Sequence, residues 1–408
     1  MPKKNNNSSP QTRYYEQTKV RTNKRLQWVT FATMKKHIFL SLSILLIGQD
    51  LLAQSEKVAL YSFDNEKRIP CGEVENQCNT GTCWSFATIS FMESEIMRKS
   101  QMKIDLSEMH PVRWCYEKKV ESYVLYQGKQ QIGPGGLSHD VLYVMNQSGL
   151  VPESALVGKQ TASGIYDHGS VDDSLAAFAK SIVEKGPQKA TRWREQVNAK
   201  LDEQVGKIPS EFTYEQKKYT PSTFLDYTGL KADDYISITS FTHHPYYRPF
   251  VLEVPDNWSK GSFINVPLGD MMKIIDYALE NGYSIAWDAD VSEPGFLFDR
   301  GIGVLLADKN SADNKLPMPE LDVNAQRRQL EFETYATTDD HLMHMIGYAN
   351  GPNGKRYYII KNSWGTTNCY KGFQYISTPY VAMKTIGIVL HKDAVPAEIR
   401  TKFYTSSK

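Results

Sequence analysis

The spacing of apolar residues changes character along the chain. Over residues 83–97 they recur at helical intervals with no Gly or Pro between them. That pattern predicts a largely buried helix with Cys83 in its first turn and Thr80 or Thr82 near its N-cap. Residues 138–145 read as a second helix, ended by Gly149-Leu150-Val151-Pro152. Residues 161–230 are more charged, with helix formers concentrated at 176–185 and 193–205, and read as a polar helical insertion. From about residue 234 the period falls towards two. Strands are predicted at 234–239 and 283–287, with a helix at 271–280 between them. Residues 305–335 read as a charged loop. Three further strands follow at 343–348, 356–361 and 372–376, the first two joined by the turn Gly351-Pro352-Asn353-Gly354.

This order gives a helical half (54–160), an insertion (161–230) and a β-rich half (231–408). A helix-borne Cys in the first half and a strand-borne His in the last predict a cleft between them. Composition fits a globular chain of 408 residues, 41% hydrophobic and 23% charged. The net charge of +1 conceals an asymmetry. Nine of the 47 basic residues but only two of the 46 acidic ones fall within residues 1–53, so the remainder is mildly acidic. Nothing in that balance calls for a nucleic-acid partner.

The basic excess surrounds a short apolar run at 38–47. Met34-Lys35-Lys36-His37 precedes it and Leu51-Leu52-Ala53 follows. This is the layout of a signal peptide over 34–53, cut after Ala53, with residues 1–33 upstream of the true start. Export to a periplasm or the medium is the resulting expectation. No span of the membrane is expected in the mature chain, because the run is too short. The five cysteines are an odd number, so at least one thiol stays free; Cys71 and Cys78 are close enough in sequence to pair.

Cys83 is the candidate nucleophile. The unpaired N–H groups and positive dipole end of a helix N-terminus favour a thiolate there. Amide cleavage also needs donors for the oxyanion and an acid for the departing amine. Gln77, six residues earlier, can supply a side-chain N–H, with the backbone N–H of Cys83 as the second donor.

Three segments carry a family resemblance. The run Gln77-Cys78-Asn79-Thr80-Gly81-Thr82-Cys83-Trp84 resembles the nucleophile segment of papain-like cysteine peptidases. Asp340-His341-Leu342-Met343-His344-Met345-Ile346-Gly347-Tyr348 resembles their histidine strand. Lys361-Asn362-Ser363-Trp364-Gly365 is similar to their Lys-Asn-Ser-Trp-Gly segment. The resemblance implies an α+β, papain-like two-lobed fold, a helical lobe and a β-barrel-like lobe carrying a large helical insertion. It implies catalytic roles for Cys83, His341, Asn362 and Gln77. Asn362 would orient the ring of His341, and Trp364 would shield that hydrogen bond from water. Trp84, Gly135 and Gly136 would line the substrate cleft with Trp364. His344, at an odd offset from His341, belongs on the other face of the strand.

His341 lies 258 positions after Cys83, against about 130–150 in papain-like enzymes. Thr80 stands where papain has Cys. Both features resemble the bleomycin hydrolase and aminopeptidase C branch, although Thr82 replaces the Arg usual there. The resemblance implies peptide substrates, no cofactor, no metal and assembly as a homo-hexamer. In that branch the C-terminal arm lies in the cleft, and its carboxylate holds the substrate's amino group. Here twelve residues follow Pro396 and end in Lys408. Both aminopeptidase and endopeptidase action therefore stay open, with an inactive peptide-binding homologue as a third reading. His243-His244 reads as a loop feature rather than a ligand pair.

Overall fold

A computed structural model describes residues 59–308 and 317–405 of the chain. Its spine is a sheet of eleven strands. The strands that position the site are β4 (Tyr235–Thr239), β7 (Ile285–Ala289), β10 (His341–Asn350), β11 (Arg356–Lys361), β12 (Phe373–Ser377) and β13 (Thr385–His391). They run in the order β4-β13-β7-β10-β11-β12. All five contacts between them are antiparallel. The edges are extended by β5 (Pro249–Val251) and β6 (Ser262–Asn265) on one side, and by β8 (Phe296–Leu297) and β9 (Ile302–Gly303) on the other. A short strand β1 (Asp64–Arg68) pairs with β10.

Side chains along each central strand alternate between two cores, as the pleat requires. Ala286, Leu342 and Ile386 face one core together with Cys83, Trp84 and Phe86. Trp287, Met343 and Met345 face the other, which is closed by helix α7 (Leu268–Glu280) and by Tyr380, Val381 and Met383. The sheet thus divides the protein. The helical lobe, on its Cys83 face, is built from α1 (Cys83–Ser100), α2 (Met109–Leu125) and α3 (Ser138–Ser148). Helices α4 (Gly169–Lys185) and α5 (Trp193–Gln204) send Val171, Leu175, Ala179, Val197 and Leu201 into the same core. A β2–β3 hairpin (Phe212–Tyr214, Lys217–Tyr219) and α6 (Pro221–Thr228) complete the segment around Phe224.

Two elements depart from the sequence reading. Within 305–335, residues Ala325–Glu333 form helix α8, capped by Asn324, whose Oδ1 accepts from the N–H of Arg327. Its charged sequence conceals a buried anchor. Arg328 points inward and donates to the carbonyls of Ser240, Ala382, Met383 and Thr385. The second is β13, an unbroken apolar run buried on both faces. Among the described residues no helix is long and apolar enough to cross a membrane.

Candidate active site

Helix α1 begins at Cys83, directly after Thr82; the N–H groups of Ser85 and Phe86 both donate to the Thr82 carbonyl, and those of Cys83 and Trp84 have no helical carbonyl to serve. Thr82 gives no side-chain cap; its hydroxyl instead meets that of Thr80 at 2.6 Å. Cys83 is 9% exposed. The backbone N–H of Leu342, the residue after His341, is directed at its sulfur and opposes the rise in the thiol's pKa.

His341 opens β10 and is buried. Its Nε2 lies 2.8 Å from Oδ1 of Asn362. The same Oδ1 accepts the backbone N–H of Ser363 at 2.7 Å, while Nδ2 of Asn362 donates to Gln374 at 2.8 Å. A backbone N–H can only donate, so the carboxamide cannot be turned round. Oxygen faces the ring, Nε2 carries the proton, and Nδ1 is left as the basic nitrogen. Trp364 stacks on the imidazole with centroids 4.5 Å apart and planes 26° apart, covering the hydrogen bond.

Gln77 joins this group from the other side. Its backbone N–H donates to the carbonyl of Ser363 at 2.9 Å, and its Oε1 accepts the Ser363 hydroxyl at 2.6 Å. Nε2 donates one hydrogen to the carbonyl of Thr80 at 2.9 Å and keeps a second. Trp84 donates from Nε1 to the carbonyl of Pro134 at 3.0 Å. Its ring lies 3.1 Å from where a Cβ on Gly136 would stand, and the carboxylate of Asp256 occupies the corresponding place beside Gly135. The Gly-Gly loop is held from below by buried Lys119, which donates to the carbonyls of Gly133 (2.9 Å) and Gly135. The structure therefore joins His341, Asn362, Ser363 and Gln77 through one chain of hydrogen bonds, with Trp364 over the ring and Trp84, the residue after Cys83, against Gly136.

Burial opposes each ion of a thiolate–imidazolium pair taken alone. It pushes the Cys83 thiol up to about 12 and the His341 imidazolium down to about 4. Transfer of one proton between them makes both ions together, each the other's counter-ion, without changing the net charge.

Three carboxylates that were not singled out from sequence, Asp339, Asp288 and Asp256, act on the thiol through their charge and favour its protonated form. Asp288 lies on β7 directly across from Leu342. A carboxylate in an otherwise apolar strand, Ile285-Ala286-Trp287-Asp288-Ala289, was the available signal.

His344 is buried on the opposite side of β10, its Nδ1 2.9 Å from the Ser90 hydroxyl; it is a structural residue. All five cysteines are free, Cys71 and Cys78 included. His243, His244 and Glu253 are the three-residue group among the described residues that could gather round a metal. The protonation pattern argues against it. Gln329 accepts the Thr242 N–H at Oε1 and donates from Nε2 to Nδ1 of His243. That places the His243 proton on Nε2, where it is donated to Glu253 rather than replaced by a metal.

Models of two sibling families match the chain: the papain family cysteine protease over residues 61–218, and the peptidase C1-like family over residues 209–407. Together they span the described chain. It belongs to the papain-like cysteine peptidases. Among curated relatives, aminopeptidase G of Lactobacillus delbrueckii subsp. lactis is 24% identical, covering 79% of this chain and 82% of its own. Aminopeptidase C of Streptococcus thermophilus is 24% identical over 85% of each, and bleomycin hydrolase of Mus musculus 21% identical over 80% and 81%. The solved structure of PepW from Lactobacillus rhamnosis shares the fold, with a TM-score of 0.63 at 20% identity, covering 89% of this chain and 94% of that one. The papain-like α+β fold and the bleomycin hydrolase and aminopeptidase C branch are thereby established for this peptidase.

The same relatives correct the expectation of export. Aminopeptidases C, G and E and bleomycin hydrolase are cytoplasmic enzymes. The expectation rested on residues 34–53, which lie outside the described residues. Basic residues followed by a short apolar run are a compositional signal with no geometry to check it, and the relatives outweigh it.

Proposed function

We propose that this peptidase removes single residues from the N-termini of peptides, with Cys83 as nucleophile. The thiolate attacks the carbonyl of the first peptide bond. The oxyanion is met by the free Nε2 hydrogen of Gln77 and the backbone N–H of Cys83. His341, protonated at Nδ1 by the thiol, gives that proton to the departing amine, and the acyl-enzyme is released by a water that His341 deprotonates. Asn362 keeps the ring in the required tautomer throughout.

The observation that carries this reading is the fixed Asn362 carboxamide. It forces the proton onto Nε2 of His341 and leaves Nδ1 as the base, on the residue next to Leu342, whose N–H is directed at the Cys83 sulfur. The names of the relatives, aminopeptidases G and C, favour exopeptidase action. Assembly into a hexamer belongs to the same proposal and is read by sedimentation velocity, where a monomer would refute it.

Aminoacyl anilides with a free or an acetylated amino group test the function. The free-amino substrate is expected to be cleaved at least about tenfold better, and iodoacetamide or Cys83→Ser is expected to abolish cleavage. Equal cleavage of blocked substrates removes the aminopeptidase reading. Cleavage that survives alkylation removes the thiol mechanism.

A further inference from the structure

Asp288 is a buried carboxylate, 4% exposed, and neither oxygen receives a hydrogen bond from any donor. Asp339, two residues before His341, has a buried Oδ2 in the same condition. Burial first, and then the charge of neighbouring carboxylates, hold both carboxyls above the usual carboxylate range, because like charges close together cannot all ionise away from water. Such a pair costs free energy unless it has a cation to meet.

Its position says which cation. Asp288 lies across the sheet from Leu342, the donor to the Cys83 sulfur, so the pair stands beside the nucleophile. Asp256 approaches from the loop over Gly135, where a substrate residue preceding the scissile bond would have to run. It is partly served already, by Gln131 Nε2 at 3.2 Å and by the field of Lys119. The neighbouring Asp340 is turned away, accepting the Thr338 hydroxyl at 2.6 Å. In a substrate with a free N-terminus, the ammonium lies two bonds from the carbonyl carbon that Cys83 attacks. With reacting atoms about 3–3.5 Å apart, that ammonium must sit within a few ångströms of the sulfur, on the side of the sheet where Leu342, the cross-strand partner of Asp288, packs in one core with Cys83.

We propose that Asp288 and Asp339 clasp the α-ammonium group of the substrate, with Asp256 closing the cleft behind it. The ammonium donates N–H to both carboxylates, which are ionised in the complex; a proton held on either one in the free enzyme leaves to water as the ammonium enters. The proposal rests on the aminopeptidase reading and supplies its ruler from within the fold. It assigns that role away from the C-terminal arm. Through residue 403 the arm packs on the other face of the sheet from Cys83. Ile399 and Phe403 enter the second core, and Lys402 pairs with Asp270 at 3.2 Å.

The presence of three carboxylates around a thiol that must become an anion is otherwise unfavourable, since each holds the thiol protonated. A substrate ammonium cancels that field when it arrives.

The test uses an amino-acid aldehyde with a free amino group and its N-acetyl counterpart. Each adds reversibly to the Cys83 sulfur, forming the C–S bond while the aldehyde oxygen takes the thiol proton. The ratio of their inhibition constants measures ammonium recognition apart from turnover. Asp288→Asn and Asp339→Asn preserve shape, and titration with iodoacetamide counts intact sites in each. The expected result is a free-amino preference in the wild type that falls by about 10- to 100-fold in either variant. Binding of the acetylated aldehyde should be unchanged or tighter. Deleting residues 404–408 should leave the preference intact. A preference that survives both substitutions, or one that disappears with the deletion, overturns the proposal while leaving the aminopeptidase reading in place. A wild type with no preference overturns both. Should one asparagine variant fail to fold, the other decides.

Discussion

Asn362 presents its carboxamide oxygen to Nε2 of His341 at 2.8 Å and to the N–H of Ser363 at 2.7 Å. The ring's tautomer is therefore set by the backbone, one step removed. Asn362→Ala is expected to lower kcat by about 10- to 100-fold, because an unanchored ring spends most of its time misdirected. KM should change little, since the Asn362 carboxamide is taken up by His341, Ser363 and Gln374. Steady-state kinetics on a free-amino anilide distinguish this from a loss of binding, in which KM alone would rise.

Without the imidazole, burial dominates at Cys83 and the charges of Asp339, Asp288 and Asp256 add to it against the N–H of Leu342, raising the thiol to about 12. In His341→Ala, alkylation by iodoacetamide should be slow at pH 7 and should climb through pH 10 without a plateau. The wild type, able to form the ion pair, should react readily at pH 7. Equal rates at neutral pH would show that His341 does not ionise the thiol.

Lys119 spends its ammonium on the carbonyls of Gly133 and Gly135. Lys119→Met leaves those carbonyls unserved and lets the loop shift. We expect KM to rise about tenfold with kcat nearly constant, and stability to fall by about 1–3 kcal/mol. Denaturant unfolding alongside kinetics reads both.

Glu93 is buried in α1, its Oε1 accepting the N–H of Leu106 at 3.0 Å, and burial raises its carboxyl to about 7. Below its unfolded value both states hold the proton. As pH rises past that value the unfolded chain ionises first, so the folded state loses relative stability until about pH 7. Glu93→Gln removes this loss. Relative to wild type, the variant should gain about 3 kcal/mol between pH 4 and pH 8. A difference independent of pH would refute the shift.

Much of the site was legible because its chemistry is local in sequence. Gln77 to Trp84, the strand from His341 and the Asn362 segment each carry their neighbours with them, and residues 356–361 match β11 to the residue. The remainder depended on distant partners. Arg328 looks like one more surface charge until the carbonyls of Ser240, Met383 and Thr385 are known to converge on it. Strand β13 has no alternation to betray it, since both its faces are covered. Asp288 and Asp339 are 51 positions apart and become a pair only through the register of β7 with β10. The apolar leader shows the converse: a persuasive local pattern, overruled by the relatives.

Strand β13, made of residues 385–391, lies between β4 and β7, which precede it by a hundred residues or more. While the polypeptide is being synthesised, the central sheet has a gap that only its closing stretch can fill. The sulfur emerges early and its base some 258 positions later, onto a sheet that still lacks a member. A growing chain thus passes through the ribosome with its cutting machinery disassembled, and becomes dangerous to peptides only after His391 has been added.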